Sequence, residues 1–340
     1  MRIAVIAPYS VGPVRGNIIT VKRIARGLNE SGADVTVFPM DTMGPAEIEA
    51  QVTALAPHII HAFHAGICGE LACTLARQSN VPGVITITGS DINDEKFRGS
   101  PGMGRAMAQA AAVVCFDDLI AADVIRFFPH TAVRTAVIHQ GVEPLPISPL
   151  AWPKISADSF LVLLPAALRP VKNILFPLRA LAPLVRHLPN LRFMIAGGAI
   201  DPLYTATIQA ETATAYYAEW LGEVPYENMG SLYARADVVL NCSLHEGMPN
   251  SLLEAMAMGR PVLAADIPGN RALVRQNETG WFYRTEDEFR DIITLLAGNA
   301  TLRNDMGRSA QEYVLTHFSP HLETRRYLDL YRKLMETPAA

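Results

Sequence analysis

Two glutamates, Glu246 and Glu254, stand eight positions apart in residues 241–270, NCSLHEGMPNSLLEAMAMGRPVLAADIPGN. An apolar strand ends at Asn241-Cys242-Ser243, and a loop follows, His245-Glu246-Gly247-Met248-Pro249. A helix then opens near Asn250-Ser251 and stops at Gly259, with Pro261 just beyond. Asn250 or Ser251 is expected to cap it, and Gly259 suits the residue after its last turn. The first N–H groups of a helix lack intrahelical partners and lie at the positive end of its dipole, which makes an anion site. Gly247 lets the backbone approach a ligand closely. On one continuous helix the two carboxylates would be rotated by about 80°; with Glu246 in the loop, both can reach one ligand. A phosphate carried between two hydroxyl-rich ends fits this arrangement, with the phosphate on the helix start and hydroxyls on the carboxylates, as in a nucleotide-sugar. Arg169 and Lys172, in Leu168-Arg169-Pro170-Val171-Lys172-Asn173, supply cations able to neutralise a diphosphate.

The elements that must position these groups are short apolar runs alternating with amphipathic stretches. Strand-like runs occupy residues 3–7, 35–38, 59–63, 84–88, 113–116 and 133–139. Residues 141–156 hold Pro144, Pro146, Pro149 and Pro153, which suit neither a helix nor a central strand. The alternation restarts with strands at 160–166, 191–196, 218–224, 238–241 and 261–265, and helices at 174–187, 251–258 and 271–276. Residues 287–335 read as helical, broken at Gly298 and at Ser319-Pro320. Continuous apolar strands in βαβ order indicate parallel sheets covered on both faces. The expected fold is α/β: two doubly wound, Rossmann-like domains facing across a cleft. Their limits are 1–145 and 157–316, with a linker at 146–156 and a helix at 317–340 crossing back to the first domain. In such sheets ligands bind at the carboxyl ends of the strands, which is where the Arg169 turn and the Glu246 loop fall.

Composition excludes several other classes. Half of the 340 residues are hydrophobic and 18% are charged, so the chain can bury large cores and is not disordered. Lys and Arg sum to 29 against 33 for Asp and Glu, leaving no basic excess for nucleic acid. No run approaches the ~20 apolar residues of a membrane span, and Met1–Pro8 reads as a buried strand rather than a secretory leader. The amphipathic tail, with Phe318, Tyr327 and Tyr331, is expected to pack on the first domain rather than lie on a membrane. Cys68, Cys73, Cys115 and Cys242 form no CxxC pair and no zinc-ligand rhythm, which points to a reducing cytoplasm.

Residues 246–270 resemble the E-x7-E segment of retaining GT-B glycosyltransferases of the family 4 type. The likeness extends to LRPVKN, the MIAGG turn, WLGEV and LYARADVVLNCS in the second half, and more loosely to Gly16 and IHQGVE in the first. LRPVKN and TGSDIN also resemble a smaller branch, the glycosyltransferase 1 domain-containing proteins and the selenosugar synthases. The resemblance implies transfer of a sugar from a nucleoside-diphosphate sugar, a UDP-sugar by preference, to an unidentified acceptor, with no metal or other cofactor. It implies that Glu246 bonds the donor sugar and Glu254 the ribose hydroxyls. Arg169 and Lys172 would stabilise the leaving diphosphate, the backbone at Pro249, Asn250, Ser251 and Leu252 would complete the phosphate cradle, and Gly247 and Met248 would also meet the substrate. Gly222, Glu223 and Val224 would lie near the base, and Gly16 near the phosphates or the acceptor. The chain departs from the family in three places. Arg169 is three residues before Lys172 rather than about five; the first loop reads Val14-Arg15-Gly16-Asn17 without Gly-Gly; and Thr88 stands where many relatives carry His. A backbone group or Asp91 would replace that histidine.

Plainer readings stand beside these. Glu246 alone is a solvated loop charge and Glu254 alone a helix-dipole partner; the Gly-x-Pro-Asn between them favours function. Asp91 with Asp94, and Asp117 with Asp118, suit helix capping better than a metal. His64 is read equally as cleft-facing or as a strand-end core residue. A sugar-nucleotide epimerase or hydrolase, or a non-catalytic nucleotide-sugar binding protein, are the alternative functions.

Overall fold

The computed structural model describes residues 1–10, 16–148 and 155–336. The chain divides into two compact units. One comprises Met1–Gly141, Glu246–Met248 and Phe318–Ala340; the other comprises Val142–His245 and Pro249–His317. Residues 149–154, with Pro149 and Pro153 of the expected linker, lie outside the described residues, as do Val14, Arg15 and 337–340.

The first unit is built on β1 (Arg2–Ala7), β2 (Asp34–Pro39), β3 (Ile59–Phe63), β4 (Gly83–Thr86), β5 (Ala112–Cys115) and β6 (Thr135–Val137). They form one sheet in the order β2-β1-β3-β4-β5-β6, and every pairing is parallel. Strand side chains alternate between faces, so a run apolar at every position is buried on both. Ile3, Val5 and Ala7 point to one core with Val21, Ile24 and Leu28 of the helix Gly16–Glu30 and with Tyr327 and Tyr331 of the helix Pro320–Glu336. Ala4 and Ile6 point to the other, against Ile48, Val52, Leu75, Met103 and Met107.

One polar cluster interrupts the apolar packing. His61 on β3 is fully buried; its Nδ1 lies 2.7 Å from the Tyr331 hydroxyl and its Nε2 2.8 Å from Thr86 Oγ1. Thr86 Oγ1 in turn meets the Tyr327 hydroxyl at 3.1 Å. The helix Pro320–Glu336 is thereby keyed to the sheet by hydrogen bonds as well as by apolar area. Among the described residues no helix is long and apolar enough to cross a membrane.

The second unit carries β7 (Phe160–Pro165), β8 (Leu191–Ala196), β9 (Ala218–Trp220), β10 (Val238–Asn241), β11 (Val262–Ala265) and β12 (Gly280–Tyr283). Its order is β12-β11-β10-β7-β8-β9, again parallel throughout. Its core joins Phe160, Val162, Leu164, Phe193, Ile195 and Leu240 to helix residues such as Leu178, Ile208 and Phe289.

Several expected elements come out shorter. The strand expected over 133–139 is reduced to β6, because Pro129–Arg134 forms a 3-10 turn. The helix expected over 174–187 is Leu175–Leu181 followed by a 3-10 turn, Leu184–Arg186; Pro183 between them has no N–H to continue the ladder. The strand expected over 218–224 ends at Trp220, ahead of a positive φ of 75° at Gly222. Strand β12 was not expected, since four residues opening on glycine give too short a pattern to recognise.

Candidate functional site

In the second unit the loops at the carboxyl edge of the sheet are tied together by backbone. Beyond β7, Leu168 N–H donates to the Gly198 carbonyl at 2.9 Å, and Gly197 N–H donates to the Gly222 carbonyl at 2.8 Å. Gly197 is needed for this approach: a methyl there would overlap the Ala166 carbonyl and come within 2.7 Å of Ala167 N. The chain then makes the 3-10 turn Pro170–Lys172, with Arg169 exposed before it and Lys172 half-buried at its end. Leu244 N–H, from the loop after β10, donates to the Val171 carbonyl at 2.9 Å. The turn bearing Arg169 and Lys172 is thus fixed from the β8 side and from the β10 side.

That β10 loop leads into the helix Asn250–Ala257. The expected cap is corrected here. Pro249 holds the N-cap position in extended backbone, so Asn250 and Ser251 are already inside the helix, and the Pro249 side chain makes no cap bond. The Pro249 carbonyl accepts from Leu252 N–H at 3.1 Å and Leu253 N–H at 3.3 Å, and the first turn lies at the positive end of the helix dipole. Glu254 sits in its second turn, buried to 7% exposure, and its Oε2 accepts from the Tyr233 hydroxyl at 2.8 Å. Burial, and then the neighbouring carboxylate, push the Tyr233 hydroxyl well above its ordinary range, so it remains a donor. Gly222 and Glu223 follow β9 at the same edge, and Val224 is buried behind them.

Residues Glu246–Met248 pack with the first unit. Three contacts hold them. Asn93 Nδ2 donates to the Glu246 carbonyl at 3.2 Å. Gly89 meets Gly247 backbone to backbone: at φ 111°, a methyl on Gly89 would lie 2.7 Å from Gly247 N. Gln140 Nε2 donates to the Met248 carbonyl at 2.9 Å. The loop carrying Gly89 is shaped by Asp91, which is fully buried. The Asp91 carboxylate accepts from the N–H groups of Ala65 at 3.0 Å, Thr88 at 3.0 Å and Gly89 at 2.9 Å. At the position of the family histidine, Thr88 Oγ1 accepts from Asn17 Nδ2 at 3.4 Å. Gly16 opens the first helix one residue earlier.

His64 is a buried strand-end residue, held at φ 79° with its ring between Ile67 N–H and Ser90 Oγ. Asp94 and Asp117 are helix caps, accepting from Lys96 N–H and Ile120 N–H. Among the described residues no three His, Cys, Asp or Glu side chains gather as metal ligands. All four cysteines are free and buried, and burial pushes their thiols up, that of Cys242 to about 12, which removes them as nucleophiles near neutral pH.

The structure therefore gathers Arg169, Lys172, Gly222, Glu223, Val224, Pro249, Asn250, Ser251, Leu252 and Glu254 on the carboxyl-edge loops and helix of one sheet. Gly16, Asp91, Glu246, Gly247 and Met248 belong to the other unit. Sequence reasoning gave no role to Tyr233, Asn93 or Gln140. Tyr233 lies in LYARAD and Gln140 in IHQGVE, but their partners are 21 and 108 residues away, and no local pattern reports that.

Comparison with known proteins shows what the chain is similar to. Residues 159–299 match the family described as "Glycosyl transferases group 1". Glycosyltransferase 1 domain-containing protein 1 of Xenopus tropicalis is 27% identical over 335 residues, covering 94% of each chain. Putative glycosyltransferase EpsD of Bacillus subtilis is 28% identical over 200 residues, 56% of this chain and 51% of that protein. Among solved structures, Anabaena HepE in complex with UDP and glucose superimposes with a TM-score of 0.82 at 19% identity, covering 98% of this chain and 100% of that one. Sucrose-phosphate synthase of Thermosynechococcus elongatus gives 0.82 at 17% identity over 99% of both chains. The two six-stranded parallel sheets are those of the GT-B fold. The chain is a glycosyltransferase, similar over residues 159–299 to the group 1 family and over 94% of its length to a glycosyltransferase 1 domain-containing protein.

Proposed function

We propose that the protein is a retaining, family 4-type glycosyltransferase that moves a sugar from a nucleoside-diphosphate sugar, with a UDP-sugar as the donor. The observation that carries this reading is the joining, at the carboxyl edge of one sheet, of the loop that leads into the helix Asn250–Ala257 to the Arg169–Lys172 turn, through Leu244 and Val171. Negative charge grows on the leaving diphosphate as the sugar takes on oxocarbenium character. Fixed cations and N–H dipoles aimed at that charge stabilise the transition state more than the ground state. Arg169 and Lys172 take this role, so the reading assigns no step to a metal ion. Glu254, with one oxygen fixed by Tyr233, accepts ribose hydroxyls through the rest of its carboxylate. Glu246 accepts from the donor sugar, and Gly222, Glu223 and Val224 border the base. Asp91 contributes by setting the loop that supports Gly247. The Anabaena neighbour in complex with UDP-glucose supports the choice of donor. Four free, buried cysteines fit a cytoplasmic protein.

A thermal-shift screen of nucleotide-sugars tests the reading, because a ligand that binds only the folded state stabilises by about 2.7 kcal/mol at a hundred times its Kd. A UDP-sugar should raise Tm, and Glu246→Gln should lower kcat more than it weakens donor binding. A screen in which no nucleotide-sugar shifts Tm, or a Glu246→Gln enzyme with wild-type turnover, would falsify it.

A further inference from the structure

Gln140 follows β6 and is 1% exposed. Its amide is fixed from both ends. Oε1 accepts from Thr20 Oγ1 at 2.7 Å and from Arg23 Nη2 at 3.2 Å, while Nε2 donates to the Met248 carbonyl at 2.9 Å. Arg23 has no acceptor, so reversing the amide would set its NH2 against the guanidinium and an oxygen against a carbonyl. One orientation is therefore allowed, and it delivers a donor to Met248.

Arg23 is held in its turn. Its Nε meets Glu323 Oε2 at 2.8 Å and its Nη2 meets Glu323 Oε1 at 3.0 Å, a two-pronged pair. The two side chains are only 11% and 1% exposed. Thr20 and Arg23 lie on the helix Gly16–Glu30, and Glu323 on Pro320–Glu336. A buried, charge-assisted chain thus runs from Glu323 through Arg23 and Gln140 to the loop that carries Glu246. The Met248–Pro249 peptide has no N–H, so its carbonyl is its one polar handle, and Gln140 grips it.

We propose that Gln140, oriented by the Arg23–Glu323 pair, is a positioning residue for Glu246. The inference rests on the reading of Glu246 as the carboxylate that meets the donor sugar. Glu246 has backbone anchors at its own carbonyl, from Asn93, and at the two residues that follow, from Gly89 and Gln140. Of these, only Gln140 links the loop to the ion pair. Misplacing a reacting group by about 1 Å costs on the order of 100-fold in rate.

Gln140→Glu is nearly the same size, keeps an acceptor for Thr20 and Arg23, and turns the donor toward Met248 into an oxygen that repels the carbonyl. Thr20→Val removes one bond to Oε1 and leaves the grip on Met248. With UDP-glucose as the probe, Gln140→Glu should lower the kcat of UDP release by about 10- to 100-fold, with KM and UDP affinity within about threefold of wild type. Thr20→Val should stay within about threefold in all three. Hydrogen exchange in a peptide spanning 244–252 should accelerate in Gln140→Glu and not in Thr20→Val. Wild-type exchange there in Gln140→Glu overturns the inference whether or not UDP-glucose is turned over. So does a loss of kcat shared equally by both variants, which would mark general loosening. A wild-type protein that ignores UDP-glucose yet shows the exchange contrast would count against the donor reading and leave the positioning intact.

Discussion

The neutral imidazole of His61 makes the first unit acid-labile by a calculable amount. Burial holds its pKa at about 3, against 6.5 in an exposed chain. Between those values the unfolded chain carries a proton that the folded protein refuses, so the unfolded state binds more protons and stability falls as pH falls. The full contribution is present above about pH 6.5 and drains away toward pH 3. Because the folded value lies well below 5, the loss between pH 7 and pH 5 is set by the unfolded chain alone and comes to about 2 kcal/mol. For a unit of about 150–250 residues that is a fall in Tm of about 4–8 °C. Carboxylates titrate over the same range, so the measurement is a difference of differences. Thermal unfolding of wild type and His61→Gln is followed by circular dichroism at both pH values. Glutamine offers a donor and an acceptor to Tyr331 and Thr86 but does not titrate. Wild type should lose about 4–8 °C more than the variant on going to pH 5. Parallel pH slopes in the two proteins would refute the argument.

The remaining predictions concern the donor edge. Arg169→Ala and Lys172→Ala should each lower kcat for nucleotide release by about 100- to 1000-fold, and near-normal turnover in both would remove the electrostatic account of the leaving group. Because Arg169 is exposed, its variant should unfold within about 0.5 kcal/mol of wild type. Gly197→Ala must push its methyl into the backbone at Ala166 and Ala167. It should cost about 1–3 kcal/mol of stability and at least tenfold in UDP affinity by displacing the Arg169 turn; calorimetry showing unchanged affinity would mean that the turn is not set from β8.

The fold class was readable because strands such as Phe160–Pro165 are apolar at every position, which only a sheet covered on both faces explains. Boundaries failed where backbone rather than pattern decided: at Pro183, at Gly222, and at the four residues of β12. The helix 250–257 was found from its sequence, yet its cap was misassigned, since Asn and Ser are preferred caps and only the backbone shows Pro249 in that place. Candidate residues fell within contiguous motifs. Their supports do not: Tyr233 for Glu254, Gln140 for Met248 and the Arg23–Glu323 pair join residues between 21 and 300 positions apart. Glutamine at 140 and tyrosine at 233 carry no periodic signature, so such pairs appear only once the chain is folded.

The helix Pro320–Glu336 has a consequence for biogenesis. Tyr327 and Tyr331 close a face of the sheet begun by Arg2–Ala7, so a nascent chain exposes that apolar face until residues beyond 318 have left the ribosome. The intervening unit can finish its own core first, and the sheet made before it is sealed after it. An emerging chain should therefore be a client for chaperones along the face of this sheet until the helix Pro320–Glu336 has been made.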